Sequence, residues 1–132
     1  MNLRPWLLPF LLVRCWAVTA EPIRAVDGDT IDASLATHLG TAGDDSTTPG
    51  DERLLRTPER VRLLAVDAPD RGQAGYTAAW NFTQAWVARG PFTVAYCDRD
   101  SFGRLLATVT RGTDNLAEAL VKAGHAVPRR ER

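Results

Sequence analysis

Histidine and cysteine are scarce in this chain. Its 132 residues hold two of each: His38, His125, Cys15 and Cys97. There is no Cys-x-x-Cys pair, and two distant histidines argue against a zinc centre, which gathers Cys and His ligands at short spacings. A single disulfide is open to the two cysteines, but the plainer expectation is that both are unpaired within apolar strands. Net charge is missing as well, since 16 basic and 16 acidic residues cancel. That excludes a protein that coats nucleic acid through overall basicity, but not one with a local positive site. No apolar run approaches the roughly 20 residues that a membrane-spanning helix requires. Internal repeats are absent. What remains is ordinary: 45% apolar and 24% charged residues in a chain of this length describe one globular domain with its own core.

The N-terminus reads in two ways. Met1 to Arg4 is a short positive start, residues 5–13 are apolar, and Val18-Thr19-Ala20 has the small-residue form of a signal-peptidase site. Arg14 and Cys15 interrupt that pattern, and cleavage after Ala20 would leave too little chain before Asp27 for a full strand. Residues 15–26 therefore read as a first strand, with Pro22 at a bulge or edge position. The expected division is an apolar segment at 1–14, a folded domain at 15–128 and a basic tail at 129–132. Arg129, Arg130 and Arg132 in that tail read as a frayed, solvated end. The reading favours the cytoplasm, with export through the apolar segment as the alternative, and a monomer without a stable membrane span.

Beyond Asp27-Gly28-Asp29, a turn signal, residues 30–36 alternate. Ile31, Ala33 and Leu35 share one face, and Thr30, Asp32 and Ser34 the other, which predicts a half-buried strand. Residues 40–51 are rich in Gly, Asp, Ser, Thr and Pro and read as a mobile loop. Residues 54–66 resume as a strand, with Pro58 confining its early part to an edge. The period of Tyr76, Ala79, Trp80, Thr83 and Val87 predicts a helix over 76–89 with these residues on its core face and Trp86 at the margin. Gly90-Pro91 stops it. Strands follow at 92–97 and 104–110, then a helix at 116–123 capped by Asp114 or Asn115 and ended by Gly124. Three strands, a helix, two strands and a helix match a five-stranded barrel of the oligonucleotide-binding type, in which strand one pairs with strands two and four.

Chemistry concentrates at three strand ends. Asp27-Gly28-Asp29-Thr30 follows the first strand. Val61-Arg62-Leu63-Leu64-Ala65-Val66-Asp67-Ala68-Pro69-Asp70 is an apolar strand with an arginine inside it and carboxylates at its end. Asp100-Ser101-Phe102-Gly103-Arg104 precedes the last long strand. Carboxylates bind hard cations and guanidinium forks pair with phosphate oxygens, so the set suits a site for a metal ion and a phosphate together. Arg62 and Asp67 are five apart and would face opposite sides of an unbroken strand, so the strand must twist, bulge or end between them.

Together with residues 115–124, these blocks resemble the staphylococcal nuclease family, in family order and over about residues 23–127. The resemblance implies a barrel of the oligonucleotide-binding type acting as a Ca²⁺-dependent phosphodiesterase on DNA and RNA, with low sequence selectivity and a preference for single strands. By this resemblance Asp29 and Asp67 are carboxylate ligands of Ca²⁺, joined by the backbone carbonyl of Ala68. Arg62 and Arg104 contact the phosphate and stabilise transition-state charge, with Arg104 serving the leaving 5′-oxygen. Asp70 orients or deprotonates the attacking water, and Asp27 and Thr30 support the ligands.

The departures from the family pattern are specific. Asp70 stands where the family has glutamate, which withdraws the carboxylate by roughly 1 Å, a misplacement that can cost on the order of 100-fold in rate. Phe102 replaces a frequent tyrosine. Residues 40–51 are an insertion, and the last helix of longer members has no counterpart. The rival on the same barrel is a catalytically weak or inactive module that binds nucleic acid or protein. A plain single-strand-binding barrel would show a basic groove with aromatics on strands, whereas Trp80 and Trp86 fall on a helix.

Overall fold

The computed structural model describes residues 15–38 and 54–130. The expected apolar segment at 1–14, the loop at 40–51 and Arg132 lie outside the described residues. Within them run β1 (Trp16–Asp27), β2 (Thr30–His38), β3 (Leu54–Leu63), β4 (Val66–Asp67), α1 (Tyr76–Ala88), β5 (Phe92–Arg99), β6 (Leu105–Arg111), β7 (Asp114–Asn115), α2 (Leu116–Lys122) and β8 (Val127–Pro128).

The five long strands close into a barrel flanked by the two helices. β1 pairs antiparallel with both β2 and β5, β2 with β3, and β5 with β6. A parallel seam of Val61, Arg62 and Leu63 against Leu105, Leu106 and Ala107 completes the circle. Closure leaves little unpaired backbone to attract other chains. Pro58 sits opposite Ser34 on the stretch of β3 that β6 does not reach, so its missing N–H breaks no ladder.

The alternation in β2 holds: Ile31 and Ala33 are fully buried and Leu35 nearly so. They meet Val61, Leu63, Val94, Leu105 and Val109 inside the barrel, and Leu116 and Leu120 of α2 plug one end. The helix α1 buries Ala79, Thr83, Trp86 and Val87. Trp86 is core rather than margin: its ring packs beside Phe92 and under Arg111, and its indole N–H donates to Asp114. Asn115 caps α2 by accepting from the backbone N–H of Glu118, and Gly124 beyond its end takes φ 79°.

Two expectations need correction. Cys15 and Cys97 are not unpaired: they form a disulfide across the β1–β5 seam, which the strand pairing itself brings together. The tail is not frayed at Arg129, because β8 pairs with β4 and the Arg129 backbone N–H donates to the carbonyl of Ala65 at 2.7 Å.

Candidate active site

The site forms where β3 ends. The expected strand over 54–66 breaks at Leu63. The chain turns through Leu64 and Ala65, the latter at φ 69°, a region that non-glycine residues seldom occupy. β4 then begins in a new direction. This turn answers the facing problem of Arg62 and Asp67. Val61 and Leu63 point into the barrel, so Arg62 projects outward, and the reversed chain brings Asp67 back over it. Its guanidinium donates to the carbonyls of Leu63 and Val66 at 2.6 and 2.8 Å, and to Asp67 Oδ1 at 2.6 Å. The same Nη2 lies 3.5 Å from Asp29 Oδ2. Only 7% of Arg62 is exposed. It therefore clasps the turn as well as joining the two carboxylates.

Asp29 is positioned by backbone. Its carboxylate accepts from the Ala68 N–H at 2.8 Å and from the Thr30 hydroxyl at 3.2 Å, and its carbonyl accepts from the Leu63 N–H. Gly28 permits this closeness: a Cβ there would sit 2.7 Å from the Ala79 Cβ and 2.8 Å from the Ala68 Cβ. The buried Thr83 hydroxyl donates to the Gly28 carbonyl at 2.6 Å, fixing the turn to α1. Arg129 reaches Asp67 Oδ1 at 3.4 Å from the paired β8.

Arg104 arrives from the loop before β6. Asp100 accepts from the backbone N–H groups of Phe102 and Arg104 and from Arg104 Nε, the last at 2.6 Å. Burial pushes the Asp100 carboxyl upward, but these hydrogen bonds and the Arg104 charge outweigh it and leave it below its ordinary value. Among the described residues the terminal nitrogens of Arg104 have no hydrogen-bond partner, and its guanidinium stands 5.5 Å from the centre of the exposed Phe102 ring. A fork held at Nε with its tips free suits an incoming anion.

Asp27 links the parts. Burial raises its pKa above the ordinary value, the neighbouring charges of Asp29 and Asp70 raise it further, and Arg71 and Arg104 pull it back. Asp29, Asp70 and Arg104 thus all act on one carboxyl. Asp70 itself is exposed. Its backbone is clasped by Gln73, whose side chain accepts the Asp70 N–H and whose N–H donates to the Asp70 carbonyl. Its carboxylate makes no hydrogen bond among the described residues. So Asp29, Arg62, Asp67 and Ala68 touch directly, while Asp27, Asp70 and Arg104 join them through the electrostatic field. Asp100, Gly28, Thr83 and Arg129 escaped assignment from the sequence. For Asp100 a signal existed, an aspartate three residues before a glycine, which is a turn signature. For Thr83 and Arg129 there was none, because their partners are distant in the chain.

Among the described residues no three Asp, Glu, His or Cys side chains form a ready metal cage. The donors at hand are all oxygen, from the carboxylates of Asp29 and Asp67 and the backbone carbonyls of the turn between them. That donor set fits a hard cation such as Ca²⁺ that keeps much of its water, and does not fit a soft one.

The sequence profile of the staphylococcal nuclease homologue family matches residues 60–132. The chain belongs to this family. Among curated proteins, an uncharacterized endonuclease of Escherichia coli O157:H7 is 30% identical over 115 residues, 86% of this chain and 63% of that protein. Protein ParB of Escherichia coli is 33% identical over 95 residues, 71% of this chain and 43% of that protein. The chain thus spans less than two thirds of these relatives.

Proposed function

We propose that this member of the family is a Ca²⁺-dependent endonuclease that hydrolyses phosphodiester bonds of DNA and RNA with low sequence selectivity, favouring single strands. The observation that carries the reading is the buried Arg62 guanidinium bonded to Asp67 and beside Asp29, with the free fork of Arg104 acting on the same acidic cluster. In this reading Asp29, Asp67 and the carbonyl of Ala68 hold Ca²⁺, which when bound supplies positive charge next to the reacting phosphate. Asp27 and Thr30 support that set, Thr30 through its hydrogen bond to Asp29.

The chain's own groups account for the rest. Arg104 receives two phosphate oxygens on its free nitrogens and neutralises charge as the pentacovalent arrangement forms. Arg62 is held by two carbonyls through one terminal nitrogen and by Asp67 through the other, so it meets the phosphate only as Asp67 turns from it toward the cation. The unbonded carboxylate of Asp70 accepts the proton of the attacking water as the water oxygen bonds to phosphorus. The bond from phosphorus to the 5′-oxygen breaks, and that oxygen leaves beside Arg104 and takes its proton from solvent water, while Asp70 returns its own to solvent. Products should therefore carry 3′-phosphate and 5′-hydroxyl ends. Mass spectrometry of a cleaved oligonucleotide reads this directly, and 5′-phosphate ends would contradict the assigned direction.

One observation favours a second reading, a catalytically slow or silent binding module on the same barrel. Asp70 is one methylene shorter than the family's glutamate and sits exposed at the rim, where its reach to a water over the phosphate is reduced.

A further inference from the structure

A groove of about 680 Å³ runs beside the acidic cluster, between β1, the end of β3 and the first turns of α1, lined by Arg24, Arg60, Arg71, Tyr76, Trp80 and Asn81 among others. It lies along bulges in β1. The β1–β2 register shifts between Pro22 and Arg24 and again between Ala25 and Asp27. The freed backbone bonds to α1 instead: Ala25 N–H donates to Gln84, while Trp80 Nε1 and the Tyr76 hydroxyl donate to the carbonyls of Ala25 and Val26. Both rings are thereby anchored by their polar tips along the groove wall.

The charge of the groove is positive in a chain whose net charge is zero. Arg24 and Arg60 share one carboxylate, Asp32, at 3.1 and 2.9 Å. Arg71 makes no hydrogen bond or ion pair among the described residues. The first turn of α1 contains no acidic residue to offset the positive end of its dipole. Val26 and Arg71, the chain neighbours of Asp27 and Asp70, are among the residues lining the groove, so it meets the acidic cluster.

We infer that this groove binds the backbone phosphates of the nucleic-acid strand that flanks the reacting bond, with Tyr76 and Trp80 beside its bases. The inference rests on the nuclease reading for the direction of the strand. Three guanidinium groups against Asp32, which two of them share, and Asp27 at the groove's mouth, with aromatic rings interleaved, is the chemistry that holds single strands without reading sequence. A substrate that ends at the reacting phosphate gains nothing from it, whereas a longer strand does.

The test measures binding of a thymidine octanucleotide and a dinucleotide by fluorescence anisotropy, in chelator so that nothing is cleaved, over a range of salt. Arg71→Ala and Arg24→Ala should each weaken octanucleotide binding several-fold and reduce its salt slope by roughly 0.7 per lost contact. Asp32→Asn should act in the opposite sense and tighten it. The advantage of the octanucleotide over the dinucleotide should shrink in the arginine variants. Circular dichroism melts confirm that each variant is folded. Equal losses for both lengths, or no change in any folded variant, overturn the inference. If no metal supports cleavage but the variants still order octanucleotide affinity this way, the groove stands and the nuclease reading falls. If cleavage is found while the length advantage ignores all three variants, the reverse holds.

Discussion

Arg62 and Arg104 are the same residue type at two strand boundaries, but their surroundings give them different work. Arg62 is buried and satisfies two carbonyls and a carboxylate. Removing it strands the two buried carbonyls, and leaving a buried polar group unpaired costs about 1–3 kcal/mol for each. Arg104 is partly exposed and, among the described residues, its guanidinium is paired at Nε alone. Both Arg62→Ala and Arg104→Ala should cut turnover by roughly 100-fold or more if they meet transition-state charge. Only Arg62→Ala should also lower the melting temperature substantially, so paired melts and single-turnover rates separate the two roles. An Arg104→Ala protein with normal turnover would remove it from the site. At Asp70 the expectation runs towards a gain. Asp70→Glu should raise turnover several-fold with little change in affinity, because the longer carboxylate matters only as the water attacks. Asp70→Asn should lower it. Equal rates for the wild type and both variants would make Asp70 a bystander.

Strand one shows what an element owes to its far end. Every pairing between β1 and β5, from Trp16 opposite Tyr96 to Ala20 opposite Phe92, lies in residues 16–20, and Cys15 adds the disulfide. A protein beginning at Glu21 should therefore lose one whole seam of the barrel and unfold, while one beginning at Cys15 keeps the seam and should fold. Denaturant melts of the two truncations settle this, and a cooperative, well-folded protein starting at Glu21 would overturn it. The strand was legible because Arg14 and Cys15 interrupt the signal pattern and because the chain from Glu21 to Asp27 is too short for a full strand. The turn after Leu63 was legible only as a need, from the spacing of Arg62 and Asp67; its cause, an alanine at φ 69° between two carbonyls clasped by the Arg62 guanidinium, is a matter of backbone geometry that residue types do not announce. The disulfide was missed because two lone cysteines carry no spacing signal, and their meeting depends on the β1–β5 register. The docking of β8 was missed because basic residues near an end usually mark solvation.

For the molecule as a whole, a zero net charge conceals separation. Carboxylates gather at the ends of β1 and β3, and arginines gather in the groove beside them. Composition excluded a uniformly basic nucleic-acid coat but could not show this arrangement, which depends on closure of the barrel. The barrel was readable from the order of its elements and from the alternation in β2, whose faces divide sharply; the helical period of α1 placed Ala79, Thr83 and Val87 rightly but also Tyr76 and Trp80, which line the groove instead of the core. The central claim is that the acidic cluster and its two arginines cleave nucleic acid with the help of a hard cation. The most direct measurement is hydrolysis of a labelled single-stranded DNA by the purified chain in Ca²⁺ and in excess chelator, with the Asp29→Ala and Asp67→Ala proteins alongside. With only two carboxylate ligands the Ca²⁺ dependence should fall at roughly 10⁻⁴ to 10⁻³ M. The account expects cleavage in Ca²⁺, none in chelator, and none from either variant. Cleavage undiminished by chelator would contradict the metal role, and cleavage in neither condition would contradict the nuclease itself.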